Sequence, residues 1–375
     1  MIGLANVPVS FLLPFSLQNS LVLGLKMLTF FAFFFILNKN AFSESIMFPN
    51  IPEFCFIDKL LKDSAEFRHD VPKQRDWLGV GDDCAMFDGW LVTKDLSVEN
   101  THFRLDWSTP EQAVEKHIVS NVSDISAMGG VPKIALLGLC LNKNWSLETR
   151  NRVQVAFSQG FAKRGIALIG GDTVVGDVGM FSTTLLGHLA GDRPLLRPAV
   201  QPGDNLYVNG TLGKSGAGLW LLMNHPEAVA EFPKLVEYHL NPRIAEGAGA
   251  ELARQGAYGA CMDISDGLSS ELNHLAVASG VTLQIEKDLL PIDPDVVRLS
   301  DRYHLDPLDF ALNGGEEYEL LFANSTSNSI FEKSKGLGEV CRIGSALERS
   351  KAPDVRMRNQ NGEFLPVQPR AWSHI

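Results

Sequence analysis

Five short segments of this 375-residue chain set carboxylates beside glycines, the residue types that can gather a cation and let backbone approach a ligand. The first is Gly81-Asp82-Asp83, followed by Asp95 and then His102. Two adjacent carboxylates repel, so this pair needs a cation or a basic partner unless it is a solvated surface Asx-turn, which is the better explanation of the segment on its own. In the second, His117, Asn121 and Asp124 follow spacings of four and three and share one helix face. Such a stripe either borders a cleft or is a set of satisfied interior polar groups. The third is Ile169-Gly170-Gly171-Asp172-Thr173. The fourth, Asp263-Ile264-Ser265-Asp266-Gly267, is too compressed for an EF-hand, and N-capping by Ser265 or Asp266 leaves Asp263 unexplained. The fifth is Asn313-Gly314-Gly315-Glu316-Glu317.

Any one of these is weak evidence. Together they imply that something neutralises the convergent carboxylates, and oxygen donors suit hard divalent cations. Mg²⁺ is usually held by protein carboxylates together with substrate phosphates, which points to nucleotide chemistry. The net charge of −11 fits this, because it removes the attraction that non-specific nucleic-acid binding needs and leaves a metal to mediate any anionic ligand. Cys55, Cys84, Cys140, Cys261 and Cys341 are odd in number and never form CxxC, arguing against a zinc site or disulfide framework. Gly210-Thr211-Leu212-Gly213-Lys214-Ser215 resembles a phosphate-binding loop, but it is two residues short from its first glycine and reads better as a tight turn into a helix.

The elements that must position these groups alternate between helix and strand from residue 53 onward. Trp90 to Lys94 reads as a strand ending in Asp95. Thr109-Pro110-Glu111-Gln112 supplies an N-cap, a first-turn proline and a capping-box glutamine, predicting a helix that runs to Gly129-Gly130. A strand over Lys133 to Leu141, a helix from Leu147 to Arg164, a short strand at Ile166 to Ile169 and another from Phe181 to Leu189 follow. The proline-rich stretch Gly191 to Asp204 reads as a connection, giving an N-terminal domain over 53–200 and a C-terminal domain over 201–375. The second half should hold strands at Asn205 to Asn209, Ala260 to Ile264, near Thr282 and at Tyr318 to Phe322. Its helices should start near Ser215, at Asn241-Pro242 and after Gly267.

At the five groups the sequence resembles the thiamine-monophosphate kinase family, part of a superfamily with aminoimidazole ribonucleotide synthetase and selenophosphate synthetase. The resemblance rests on Gly79-Val80-Gly81-Asp82-Asp83-Cys84-Ala85, Asp95 with His102-Phe103, and the run Asn121 to Gly130. It continues through Gly170-Gly171-Asp172-Thr173, Asp263 to Leu268, and Gly314-Gly315-Glu316-Glu317-Tyr318-Glu319-Leu320. It implies a two-domain α/β subunit of the aminoimidazole ribonucleotide synthetase-like fold, usually a homodimer through the N-terminal domain. The implied reaction is ATP-dependent phosphorylation of thiamine monophosphate to thiamine diphosphate. It further implies several Mg²⁺ ions held by Asp83, Thr93, Asp95, Asp124, Asp172, Asp263 and Asp266. ATP would meet Gly171, Asp172, Arg197 and Ser265, and the acceptor would meet His102, Asp124, Glu316 and Trp372. Lys94 departs from the family, which carries a hydroxyl residue there.

Phosphoryl transfer is largely positioning and charge neutralisation, so no general base is expected. The apolar leader over residues 1–46 adds no motif; Met47 reads as the true start, and the remainder as a cytoplasmic enzyme with no membrane or nucleic-acid partner. Two other classes stay open. One is a different superfamily reaction, with Cys84 as a weak reactive-thiol candidate; the other is a secreted cation-binding protein if the leader is genuine.

Overall fold

The computed structural model describes residues 78–257, 259–325 and 336–370, so the leader, Met47, Cys55 and Trp372 lie outside the described residues. Both sheets belong to one compact unit, Gln74–Ile375.

The first sheet starts with β1 (Ala85–Phe87) and β2 (Trp90–Val98). Helix α1 (Pro110–Ala127) follows, capped as its sequence predicts: Gln112 N donates to Thr109 Oγ1 at 3.2 Å and Thr109 N donates to the Gln112 side chain at 2.9 Å. Gly129, at φ 76°, turns the chain into β3 (Gly130–Asn142), and α2 (Leu147–Ala162), β4 (Ala167–Gly176) and β5 (Met180–Leu189) complete the layer. The strand order is β1-β2-β5-β3-β4, with β3 and β4 parallel and the other pairs antiparallel. Val114, Ile118, Val122 and Ile125 of α1 and Phe157 and Phe161 of α2 share one core with Leu137 and Leu185 of the sheet. The opposite face of the sheet is open, with Leu96 and Val174 about half exposed.

The second layer contains β6 (Asn205–Asn209), α3 (Lys214–Asn224), α4 (Pro233–Leu240), α5 (Ala248–Arg254), β7 (Ala260–Asp263), α6 (Leu268–Ser279) and β8 (Val281–Glu286). It continues with α7 (Pro294–Tyr303), α8 (Pro307–Asn313), β9 (Leu320–Asn324), β10 (Val340–Arg349), β11 (Val355–Arg358) and β12 (Phe364–Pro366). The strand order is β12-β11-β8-β10-β6-β9-β7. Its core joins Leu206, Val208, Met262, Leu283, Leu321 and Ile343 to Leu268, Leu272 and Leu275 of α6.

Four expectations change. β2 continues to Val98, so Asp95 is in mid-strand. β4 runs through Gly-Gly-Asp-Thr instead of stopping at Ile169, because parallel pairing with β3 extends to Gly176. Asn241-Pro242 opens no helix: α4 ends at Leu240 and the proline follows it as a stop. Tyr318 adopts φ 56°, outside β geometry, so the strand begins only at Leu320. The Gly-Lys-Ser segment is a glycine turn, with Gly213 at φ 89° and α3 starting at Lys214. The Lys214 ammonium is engaged 3.8 Å from the Tyr238 ring centroid and 3.7 Å from Glu319 Oε1.

Candidate active site

Strand alternation and helix periodicity meet along β2 and α1. Thr93, Asp95 and Ser97 are alternate residues and point to the α1 side of the sheet. Thr93 Oγ1 donates to Asp124 Oδ2 at 2.5 Å, the Ser120 hydroxyl lies near enough to Asp95 to favour its ionised form, and Ser97 Oγ lies 2.8 Å from His117 Nδ1. The polar stripe on α1 therefore divides into two parts. His117 is interior, its Nε2 2.9 Å from Thr183 Oγ1, and burial lowers its pKa to about 3. Asn121 donates to the His117 carbonyl. Only Asp124, at the C-terminal end of the stripe, opens into the site.

There it meets Asp83 and Asp263, each offering an oxygen within 4.8 Å of the others. Asp263 ends β7, and its Oδ2 accepts from Ser123 Oγ at 2.5 Å. Asp83 Oδ2 is buried without a hydrogen-bond partner. The surface-turn reading of Asp82-Asp83 fails, since their side chains are only 2% and 1% exposed. The basic partner is Arg197, which donates through its guanidinium to Asp83 and through its backbone N–H to Asp82 at 3.1 Å.

Burial, then the surrounding carboxylates, raises the Asp124 pKa well above the carboxylate range. Burial, then Asp83, raises Asp263 to about 8 and Asp82 to about 7, although Arg197 opposes both. Burial also raises Asp83 and Asp95. Arg197 alone does not neutralise this set, and an orphaned buried carboxylate oxygen among all-oxygen donors fits a hard divalent cation.

Beside the cluster, the 263–267 loop is stitched to the 316–319 segment. Glu316 N donates to Ser265 O at 2.7 Å, Tyr318 N to Ile264 O at 2.8 Å, and Ile264 N to Glu319 O at 2.8 Å. Glu271, fully buried in the first turn of α6, accepts from Asp266 N at 2.9 Å and Ser265 Oγ at 3.4 Å. Across the gap, Lys116 Nζ of α1 reaches Glu316 Oε2 at 2.7 Å and the His102 carbonyl at 3.4 Å. His102 Nδ1 accepts from Val98 N at 3.1 Å, which leaves its Nε2 as the protonated nitrogen.

Asp83, Thr93, Asp95, Asp124 and Asp263 thus come together, with Arg197, Ser265, Asp266, His102 and Glu316 around them. Asp172 does not join them. It aligns with Gly138, which aligns with Ser182 on the open face of the sheet. Lys94 shares that face, its Nζ donating to Ser182 Oγ at 2.6 Å, so its departure from the family leaves the cluster face untouched. Gly171, at φ 158°, sits so tightly on β3 that an added Cβ would fall 1.9 Å from the Leu137 carbonyl oxygen. Lys116, Ser123, Glu271 and His239 escaped the sequence reading. An acidic residue in a first helical turn was the one available signal, for Glu271.

Residues 81–189 match the family model of the AIR synthase related protein N-terminal domain, and residues 201–353 that of its C-terminal domain. The thiamine-monophosphate kinase of Bacillus subtilis is 31% identical over 314 residues, covering 80% of this chain and 93% of the relative. That of Pyrococcus horikoshii is 34% identical over 303 residues, covering 79% and 91%. A solved structure described as AaThiL complexed with AMPPCP and TMP superposes with a TM-score of 0.73 at 29% identity, covering 89% of this chain and all of that one. With both domain models matched in order and relatives above 30% identity aligned over nearly their whole length, the chain belongs to the thiamine-monophosphate kinase family.

Proposed function

We propose that Asp83, Asp95, Asp124 and Asp263, with the Thr93 hydroxyl beside them and Asp266 at the rim, hold Mg²⁺, and that the γ-phosphate of ATP passes in line to the acceptor across this site. The protein phosphorylates thiamine monophosphate with ATP, giving thiamine diphosphate, as its family does. The observation that carries the reading is the set of three carboxylates, Asp263 buried and Asp83 and Asp124 half-buried as whole residues, with oxygens within 4.8 Å of one another.

When bound, Mg²⁺ supplies the positive charge that lets two phosphorylated substrates approach. The chain's own residues orient and exclude water. Arg197 and Ser265 face the nucleotide phosphates. His102 directs Nε2–H, and Glu316 a carboxylate oxygen, toward the acceptor; Trp372 is a third acceptor residue by family resemblance. No side chain needs to remove a proton, because the attacking group is a phosphate oxygen already ionised near neutrality, its second pKa being about 6.

The test is an acceptor screen with ATP and Mg²⁺, following ADP release. ADP should form with thiamine monophosphate and far more slowly with free thiamine, which offers no phosphate to bridge; equal or faster turnover with free thiamine overturns the reading.

The active form is a homodimer through the open face of the first sheet. Exposed Leu96 and Val174, together with an edge strand β4 exposed along nearly its whole length, support this. Asp172 and Gly171 lie on that strand, so nucleotide or metal contacts by them belong to the seam between copies. Sedimentation should give twice the chain mass, and Val174→Asp should give a monomer; a monomeric wild type rejects the arrangement. No helix among the described residues is long and apolar enough to cross a membrane, and dependence on ATP assigns the reaction to the cytoplasm.

A further inference from the structure

Glu316 is an unusual place for an acidic side chain. Its backbone is left-handed, at φ 61°, a conformation disfavoured for residues with a Cβ, and its amide is tied to Ser265 O. Two basic side chains face the same oxygen, Oε2: Lys116 Nζ at 2.7 Å and His239 Nδ1 at 3.6 Å. Only one of them brings charge. His239 is held neutral, burial lowering its pKa to about 3, and its Nδ1 lies 3.1 Å from Ser215 Oγ. Lys116 is buried, comes from the opposite domain, and also reaches the His102 carbonyl. Glu316 Oε1 makes no hydrogen bond among the described residues, so one carboxylate oxygen is fixed and the other is free to accept.

We infer that Lys116 is a positioning residue for the acceptor substrate, an ammonium that fixes one oxygen of the Glu316 carboxylate so that the other is presented to thiamine monophosphate. The inference rests on the function proposed above and adds a residue to it. Burial by itself would favour protonated Glu316, yet the Lys116 ammonium keeps its pKa below the usual range. The carboxylate is therefore ionised and ready to accept a hydrogen bond. A lysine that merely fastened the two domains would affect both substrates alike; one that arranges acceptor contacts acts on the acceptor alone.

The experiment is steady-state kinetics of Lys116→Met, Glu316→Gln and the double variant, with melting temperatures recorded in parallel. Lys116→Met should raise KM for thiamine monophosphate roughly ten- to a hundredfold, the scale on which a misplaced contact group is felt, and leave KM for ATP within about twofold. The double variant should have a KM for thiamine monophosphate no higher than that of Glu316→Gln, because the lysine acts through the carboxylate. An unchanged acceptor KM, an equal rise for both substrates, or multiplying effects in the double variant overturns the inference. If Lys116→Met does not fold, the double variant, which leaves no unpaired charge, decides against Glu316→Gln by the same criterion. A wild type unresponsive to thiamine monophosphate removes the parent function and this inference together, whereas a responsive wild type with unshifted variants removes this inference alone.

Discussion

Asp124→Asn should lower turnover of thiamine monophosphate on the order of a thousandfold, the scale of losing one preorganised electrostatic group, and leave the protein folded. The amide keeps the shape and can still accept from the Thr93 hydroxyl, which donates to Asp124 Oδ2. It removes the charge that has the least reason to be there in the absence of a cation, since burial and then Asp95, Asp263 and Asp83 all oppose ionisation of Asp124. Without Mg²⁺ the variant should therefore melt no lower than wild type near pH 8, because a repelling carboxylate has become neutral. ADP release measures the first effect and the circular-dichroism melt the second. A variant that retains turnover shows that Asp124 binds no catalytic cation; one that unfolds shows that the carboxylate is structural, like its stripe neighbours His117 and Asn121.

Local chemistry was legible in the sequence where local rules decide the outcome. The capping box at Thr109 and Gln112, the β6 strand at Asn205–Asn209 and the α6 helix after Gly267 follow from nearest neighbours alone. The carboxylates could be singled out because aspartate beside glycine at an element's end is costly without a purpose. Long-range pairing was not legible. Arg197 lies 114 positions from Asp83 and Lys116 lies 200 from Glu316, and neither pair leaves a periodic trace. Asp95 in mid-strand reads as a strand end because a charge there is unfavourable unless a partner such as Ser120 on α1 receives it. Asp172 shows the other limit: a motif transfers by residue type, but the face on which a strand residue lies is set by pairing, which one sequence does not display.

Thermal stability in the presence of a chelator should fall between about pH 6.5 and 8.5, and Mg²⁺ should remove part of that fall. Asp82 and Asp263 have folded pKa values of about 7 and about 8, raised first by burial, and Asp124 lies well above its usual range. In the unfolded chain the same groups ionise near 4, at about the reference value for aspartate. Over this window the folded state holds more protons, so stability that is complete in acid drains away as pH rises through the folded values. The buried histidines pull the other way at lower pH. His117, His239 and His274 are lowered to about 3 by burial, so at these three sites the unfolded state binds more protons below about pH 6.5, which offsets part of the carboxylate-driven fall there. That offset is spent above about pH 6.5, the unperturbed histidine value, which is why the carboxylates act unopposed in the upper window. Glu317 and Glu319, raised to about 8 and about 7 by burial despite Lys214, belong to the second domain's interior and keep their share of the slope when metal binds. Mg²⁺ takes the aspartates in their ionised form, so the rise in melting temperature on adding it should grow from pH 6.5 to 8.5, at about 2–4 °C per kcal/mol for a protein of a few hundred residues. Differential scanning fluorimetry with and without Mg²⁺ measures it, and a metal-induced shift that is flat or shrinking across that window is incompatible with a cation held by Asp83, Asp124 and Asp263.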